Sequence, residues 1–135
     1  MALKLTLKPH EKIIIGGAVV TNGPSTSHLL VENEVAILRQ DSILTENEAD
    51  SPCKRVYFVI QLMYVSGGMT PELSQLYWDL VKEIVQAAPS TKDLLSQTSQ
   101  HLLDNQFYKA LKTAKKLITY EKELIGNVSK FAEKL

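Results

Sequence analysis

The stretch LTLKPHEKIIIG, Leu5 to Gly16, decides the fold class of this chain. With Leu3 ahead of it, Leu5 and Leu7 alternate with Lys4, Thr6 and Lys8, a period of two that places three leucines on one face of a strand. Pro9 and His10 break that strand. Three consecutive isoleucines, Ile13 to Ile15, favour a second, buried strand, and Gly16-Gly17 relieves the backbone at a turn or bulge. The two runs read as a hairpin.

Working outward, Ala18 to Thr21 forms a third short strand before the turn signal Asn22-Gly23-Pro24. Two more apolar runs follow, His28 to Glu32 and Glu34 to Arg39, joined at Asn33-Glu34; the second opens the stretch VAILRQDSI, Val35 to Ile43. Five short strands over such a length predict a small antiparallel sheet or barrel that needs a second layer to pack on.

Gln40 to Asp50 is polar and acidic and reads as a linker with room for one helical turn. Beyond it the pattern turns helical. Ser51-Pro52 supplies an N-cap and a first-turn proline, but Cys53 to Val65 is apolar nearly all round, so helix and strand both fit, with length favouring a buried helix. Thr70-Pro71-Glu72 opens a clear amphipathic helix with Leu73, Leu76, Tyr77, Leu80, Val81, Ile84, Val85 and Ala88 on its stripe. Ser90 with Asp93 resembles a capping pair for a third helix, with a stripe of Leu94, Leu95, Thr98, Leu102 and Leu103. After a break at Asp104-Asn105, helical spacing runs from Phe107 through Ala110, Leu111, Ala114, Leu117, Ile118, Leu124 and Ile125 to Val128, Phe131, Ala132 and Leu135. Glu121 is one polar interruption of that stripe, and Gly126 marks a bend or close packing. The expected class is α+β, with a β subdomain and acidic linker over 1–50 and a helical subdomain over 51–135 that lies against the sheet or another subunit.

Composition excludes more than it identifies. The 135 residues carry 15 basic and 15 acidic side chains, so net charge recruits no partner and any nucleic-acid contact must come from a local patch. One cysteine, Cys53, forms no internal disulfide and suits a reducing compartment. No apolar run reaches the ~20 residues of a membrane span, and no basic start leads into a cleavage site, so a cytoplasmic protein without membrane contact is expected.

No catalytic constellation stands out. His10, His28 and His101 lie at no metal-ligand spacing, the paired glycines lack the flanking residues of a phosphate loop, and no Gly-x-Ser-x-Gly elbow occurs. Neither an enzyme nor a metal or other cofactor is expected. One basic feature rises above the background: Lys109, Lys112, Lys115 and Lys116 fall in an acid-free window, and 109, 112 and 116 share a helix face. That face either keeps the helix solvated or receives phosphates or an acidic partner.

LTLKPHEKIIIG resembles the first strands of the CsrA/RsmE family of small RNA-binding regulators, Leu-Thr-Arg-Lys-x-Gly-Glu-x-Ile-x-Ile-Gly, and VAILRQDSI resembles that family's Val-x-Val-His-Arg-x-Glu-Ile, with Ser42 as an extra residue. Leu7 stands where that family has arginine and Leu38 where it has histidine. Over nearly its full length the chain resembles the FlbT family, through LKLTLKPHEKIIIGGAVVTNG, LRQDSIL with its acidic linker, SPCKRVYFVIQLMYV and the helical tail. The FlbT resemblance implies post-transcriptional control of flagellin synthesis, usually negative, through the 5′ leader of the flagellin messenger, and interplay with the flagellar protein FlaF. The CsrA resemblance implies an RNA-binding strand edge at Leu5, Thr6, Ile37 and Arg39; the helix face of Lys109, Lys112 and Lys116, read from its spacing alone, is a further candidate for phosphates. It also leaves two ways to complete the sheet, a homodimer or cover by the chain's own helices. A protein-interaction module that docks a flagellar partner on its helices is the other function class.

Overall fold

A computed structural model describes residues 2–133, with side chains through Asn127. Five strands precede four helices: β1 (Leu3–Leu7), β2 (Lys12–Ile15), β3 (Ala18–Thr21), β4 (Ser27–Val31), β5 (Ile37–Arg39), α1 (Pro52–Ser66), α2 (Pro71–Ala87), α3 (Lys92–Leu103) and α4 (Phe107–Glu133). The α+β class is as expected. The chain divides into two compact units, Met1–Ile43 with Tyr64–Gly68, and Leu44–Met63 with Met69–Leu135.

In the strand unit, the five strands form two antiparallel sheets instead of one: β1 with β4, and β2 flanked by β3 and β5. The hairpin expected between the first two runs is not made. β1 pairs with β4, Leu5 opposite Leu29, while β2 pairs with β3, Ile14 opposite Val19. The reason lies in the turn. Glu11 donates its N–H back to the Lys8 carbonyl at 3.1 Å, and His10, at φ 61°, donates to Gly23 O at 2.9 Å, which hooks this turn onto the next one. Asn22 completes the hook: its Nδ2 donates to Leu7 O (3.2 Å), Lys8 O (2.8 Å) and Ser25 O (3.0 Å), and its Oδ1 accepts from Ser27 Oγ at 2.7 Å. The chain leaving this turn is thereby delivered alongside β1. Alternation holds where it matters, since Leu5, Leu7 and Ile13 form the core with Ile15, Leu29, Val31 and Ile37 around them, whereas Leu3 remains exposed.

In the helical unit, α1 resolves the ambiguous segment as a helix. Ser51 Oγ accepts the Lys54 N–H at 3.3 Å, Pro52 opens the first turn, and Val56, Ile60 and Met63 are fully buried. Its buried Gln61 pins the linker by bonding both backbone groups of Leu44 at 2.8 Å. Thr70 caps α2 by accepting from Leu73 N at 3.2 Å. The capping pair expected from Ser90 and Asp93 does not form: a 3-10 turn, Pro89–Thr91, runs directly into α3, Thr91 is already helical, and Ser90 Oγ instead accepts from the Tyr120 hydroxyl at 2.7 Å. Ala110, Leu111, Ala114 and Leu117 of α4 and Leu95, Thr98 and Leu102 of α3 are buried as their spacing predicts, while Leu76, Leu103 and Ile125 are exposed. A Cβ at Gly126 would meet no atom of the described residues within 4 Å, so close packing against them is not its role. Val128, Phe131, Ala132 and Leu135 lie outside the described side chains.

Candidate nucleic-acid interface

Arg39 ends β5 opposite Ile13, next to the buried Leu38, so strand alternation sends its side chain away from the core contact that Leu38 makes. Its guanidinium forks onto Glu11: Nε donates to Oε2 at 3.1 Å, and Nη2 donates to Oε1 at 3.0 Å and Oε2 at 2.9 Å. Nη2 also donates to the Thr6 carbonyl at 2.6 Å. One side chain thus ties β5 to β1 and to the turn between β1 and β2. Glu11 is held from the other side by the Lys8 backbone N–H at 2.9 Å. That N–H first, and the Arg39 guanidinium second, stabilise the ionised form and lower the Glu11 pKa.

Around this clasp opens a polar cleft of about 700 Å³, lined by Lys8, Pro9, His10, Glu11, Arg39, Gln40 and Asp41. Gln40 uses its Oε1 to accept the Lys12 N–H at 2.7 Å, which leaves the amide N–H groups available. Arg39 Nη1 likewise carries no hydrogen bond among the described residues. The cleft therefore offers guanidinium and amide donors beside the Asp41 carboxylate, a set able to meet a phosphate or the polar edge of a base. Its formal charges cancel, Lys8 and Arg39 against Glu11 and Asp41.

The other strand positions expected to form this edge are differently employed. Leu5 is buried in the core. Thr6 gives its carbonyl to Arg39 and sets its hydroxyl 3.2 Å from His28 Nδ1. Ile37 has its N–H and C=O both engaged by the Tyr64 hydroxyl, at 3.2 and 3.3 Å. Leu7 and Leu38, where the RNA-binding family carries arginine and histidine, are each 2% exposed and serve the core. Glu11, Gln40 and Asp41 were not singled out from sequence. The register of Ile13 opposite Arg39 is what brings Glu11 within reach, and no local pattern announces it.

On α4, Lys109, Lys112, Lys115 and Lys116 are exposed and make no ion pair among the described residues. Lys112 Nζ sits 4.8 Å from the centroid of the Tyr108 ring, a cation–π arrangement on a solvent face. A second concavity, about 410 Å³, lies between α2 and α3 and is lined by Trp78, Val81, Val85, Leu95 and Leu103 with polar residues at its rim. Among the described residues, no His, Cys, Asp and Glu cluster could hold a metal ion, and no helix is long and apolar enough to cross a membrane.

Comparison with known proteins gives these features a family. The model of the family described as "Flagellar protein FlbT" matches residues 3–125. "Probable flagellum biosynthesis repressor protein FlbT 1" of Bradyrhizobium diazoefficiens is 44% identical over 127 residues, covering 93% of this chain and 86% of that protein. "Probable flagellum biosynthesis repressor protein FlbT" of Rhodopseudomonas palustris strain TIE-1 is 38% identical, covering 93% and 99%. "Flagellum biosynthesis repressor protein FlbT" of Caulobacter vibrioides strain ATCC 19089 is 33% identical, covering 96% and 93%. No solved structure matches. With a family model spanning most of its length and relatives aligned nearly end to end, the chain belongs to the FlbT family.

Proposed function

We propose that this chain is a cytoplasmic regulator that represses flagellin synthesis after transcription by holding the 5′ leader of the flagellin messenger. Repression of flagellum biosynthesis is what the names of its relatives carry. The messenger as target rests on the CsrA-like order of Leu5 to Gly16 and Val35 to Ile43. The observation that carries the site is the Arg39 clasp. It leaves Nη1 and the Gln40 amide as unused donors in one polar cleft, suited to an unstacked nucleotide. Because that cleft is formally neutral, it contributes orientation; the exposed lysines of α4 contribute charge.

A salt titration of leader RNA binding to the full chain separates these roles. Replacing Lys109, Lys112 and Lys116 together by Gln lowers the slope of log affinity against log salt by about 2, at ~0.7 per phosphate on a single strand. Gln40→Ala weakens binding with the slope unchanged. A wild-type protein that binds the leader no better than a scrambled RNA of equal length sinks the proposal.

The groove between α2 and α3 favours a second reading, an adaptor for a flagellar protein such as FlaF. Trp78 and Leu103, 40% and 64% exposed, are suitable anchors for an amphipathic helix. On this reading Leu103→Asp abolishes co-purification with FlaF and leaves leader binding untouched.

A further inference from the structure

The edges of the two sheets are not treated alike. The outer edge of β5 is closed by the Tyr64 hydroxyl on Ile37, and the outer carbonyl of Thr6 on β1 is taken by Arg39. β4 turns His28 toward the Thr6 hydroxyl of β1 and, though it carries no carboxylate, lysine or proline of its own, leads directly into Glu32 and Glu34. β3 has no such protection. Its four residues, Ala-Val-Val-Thr, are all exposed, Val19 by 67%, and contain no charge, proline or bulge of the kind that keeps a strand edge from pairing.

The ladder shows which groups that edge presents. Asn22 donates its N–H to Glu11 O at 2.8 Å, which makes Glu11 and Asn22 a hydrogen-bonded pair. Alternation in an antiparallel ladder then makes Ile13 and Val20 hydrogen-bonded as well, and leaves the N–H and C=O of Val19 and Thr21 pointing away from β2. Two outward pairs, two residues apart with Val20 between them, form a self-complementary edge.

We propose that β3 pairs antiparallel with β3 of a second copy of this chain, across a two-fold axis through Val20. Val19 of each copy then exchanges backbone hydrogen bonds with Thr21 of the other, and the two Val20 residues face each other as a non-hydrogen-bonded pair. The occupant is a second copy because the register closes on itself and because β3 itself carries no charge; the nearest one, Lys12, whose Nζ donates to Thr21 Oγ1 at 3.5 Å, stands on β2, one strand in from the seam. Each protomer would extend its three-stranded sheet into one of six strands. Cross-strand contacts with Thr21 and Val20 of the partner would cover the exposed valines. A four-residue edge buries little area, so the dimer is weak and dissociates on dilution.

The test is sedimentation velocity of the full chain across a dilution series, with two variants and a cross-link. The wild type shifts from one chain mass to two as concentration rises. Val19→Pro removes an outward N–H that β2 does not use, and Val19→Lys puts a gatekeeping charge on the exposed edge; both stay monomeric, with circular dichroism and melting as in wild type. Under mild oxidation Val20→Cys forms a disulfide-linked dimer, whereas Ala18→Cys does not. A wild type that remains monomeric at millimolar concentration, or a dimer that survives Val19→Lys, overturns the proposal.

Discussion

Removing the Glu121 carboxylate should loosen the start of α1 and change the chemistry of Cys53 in the same stroke. Glu121 interrupts the apolar stripe of α4, and its contacts give the reason: Oε1 accepts from Ser51 Oγ at 2.5 Å and Oε2 from the Cys53 N–H at 3.2 Å. A carboxylate from the longest helix thus caps the first turn of another, where the exposed N–H groups and the helix dipole favour negative charge. Glu121→Ala leaves the Ser51 hydroxyl and the Cys53 N–H without that partner in a part-buried site. The expected loss is about 1–2 kcal/mol, the range of a lost N-cap, or a melting temperature lower by ~5 °C. Glu121→Gln keeps an acceptor and loses the charge, so it should fall between. The thiol provides an independent reading. Burial first, and then the charge and hydrogen bond of Glu121, push the Cys53 pKa up to about 12. Thiolate absorbance followed through an alkaline titration should therefore show a lower Cys53 pKa in Glu121→Gln, still above that of a free thiol because burial remains. The assay is thermal melting of wild type, both variants and the Ser51→Ala cross, with the titration beside it. An unchanged melting temperature together with an unchanged thiol titration refutes the assignment of Glu121 as the cap.

The clasp in the strand unit makes a matching prediction: Arg39→Lys should not restore what Arg39→Ala loses, because an ammonium cannot fork onto Glu11 while also reaching Thr6 O, and hydrogen exchange at β1 and β2 should rise in both variants. Acid should open the same clasp. The Glu11 pKa is lowered on folding, so its contribution is present above its ordinary value of 4.5 and is lost as pH falls through the depressed folded value, a change visible in exchange at Lys8 and Arg39. At the alkaline end, Cys53 and Tyr77 are both raised to about 12, chiefly by burial, so the folded state holds protons that the unfolded state releases, and denaturant midpoints should fall as pH rises from about 9 toward 12. Gly16→Ala should destabilise by about 1–3 kcal/mol in a chemical melt, since φ is +57° and its Cβ would lie 2.9 Å from Val35 Cγ2.

Local chemistry made most elements legible and left their partners hidden. Proline and a capping residue announced α1 and α2, and period-two leucines announced β1, because those signals act within one turn or one strand. Pairing is another matter. Nothing between Leu7 and Lys12 states that β1 will choose β4; the choice depends on Asn22 reaching three carbonyls, and on His10 accepting a left-handed backbone to reach Gly23. The same holds for α3, where Ser90 offered a good capping pattern but a proline turn had already supplied helical geometry at Thr91. Glu121 was visible as a defect in a stripe, but its purpose required the start of α1 beside it.

Arg39 shows most directly how a sequence match and a structural role can fall on one residue. As a strand-end arginine it suits RNA, yet three of its hydrogen bonds go to Glu11 and one to Thr6 O. A phosphate that displaced Glu11 would have to replace a bidentate charged pair and leave the carboxylate facing an anion, so exchange at that fork is disfavoured. A ligand that leaves the fork intact and uses Nη1 and the Gln40 amide meets no such penalty, and it binds a guanidinium already fixed in orientation. Loss of RNA binding in Arg39→Ala would therefore mix a missing contact with a loosened turn. Gln40→Ala removes the amide donors of the cleft and leaves the fork in place; because it also takes the acceptor from the Lys12 N–H, hydrogen exchange at Lys12 is read beside RNA binding to separate the two effects.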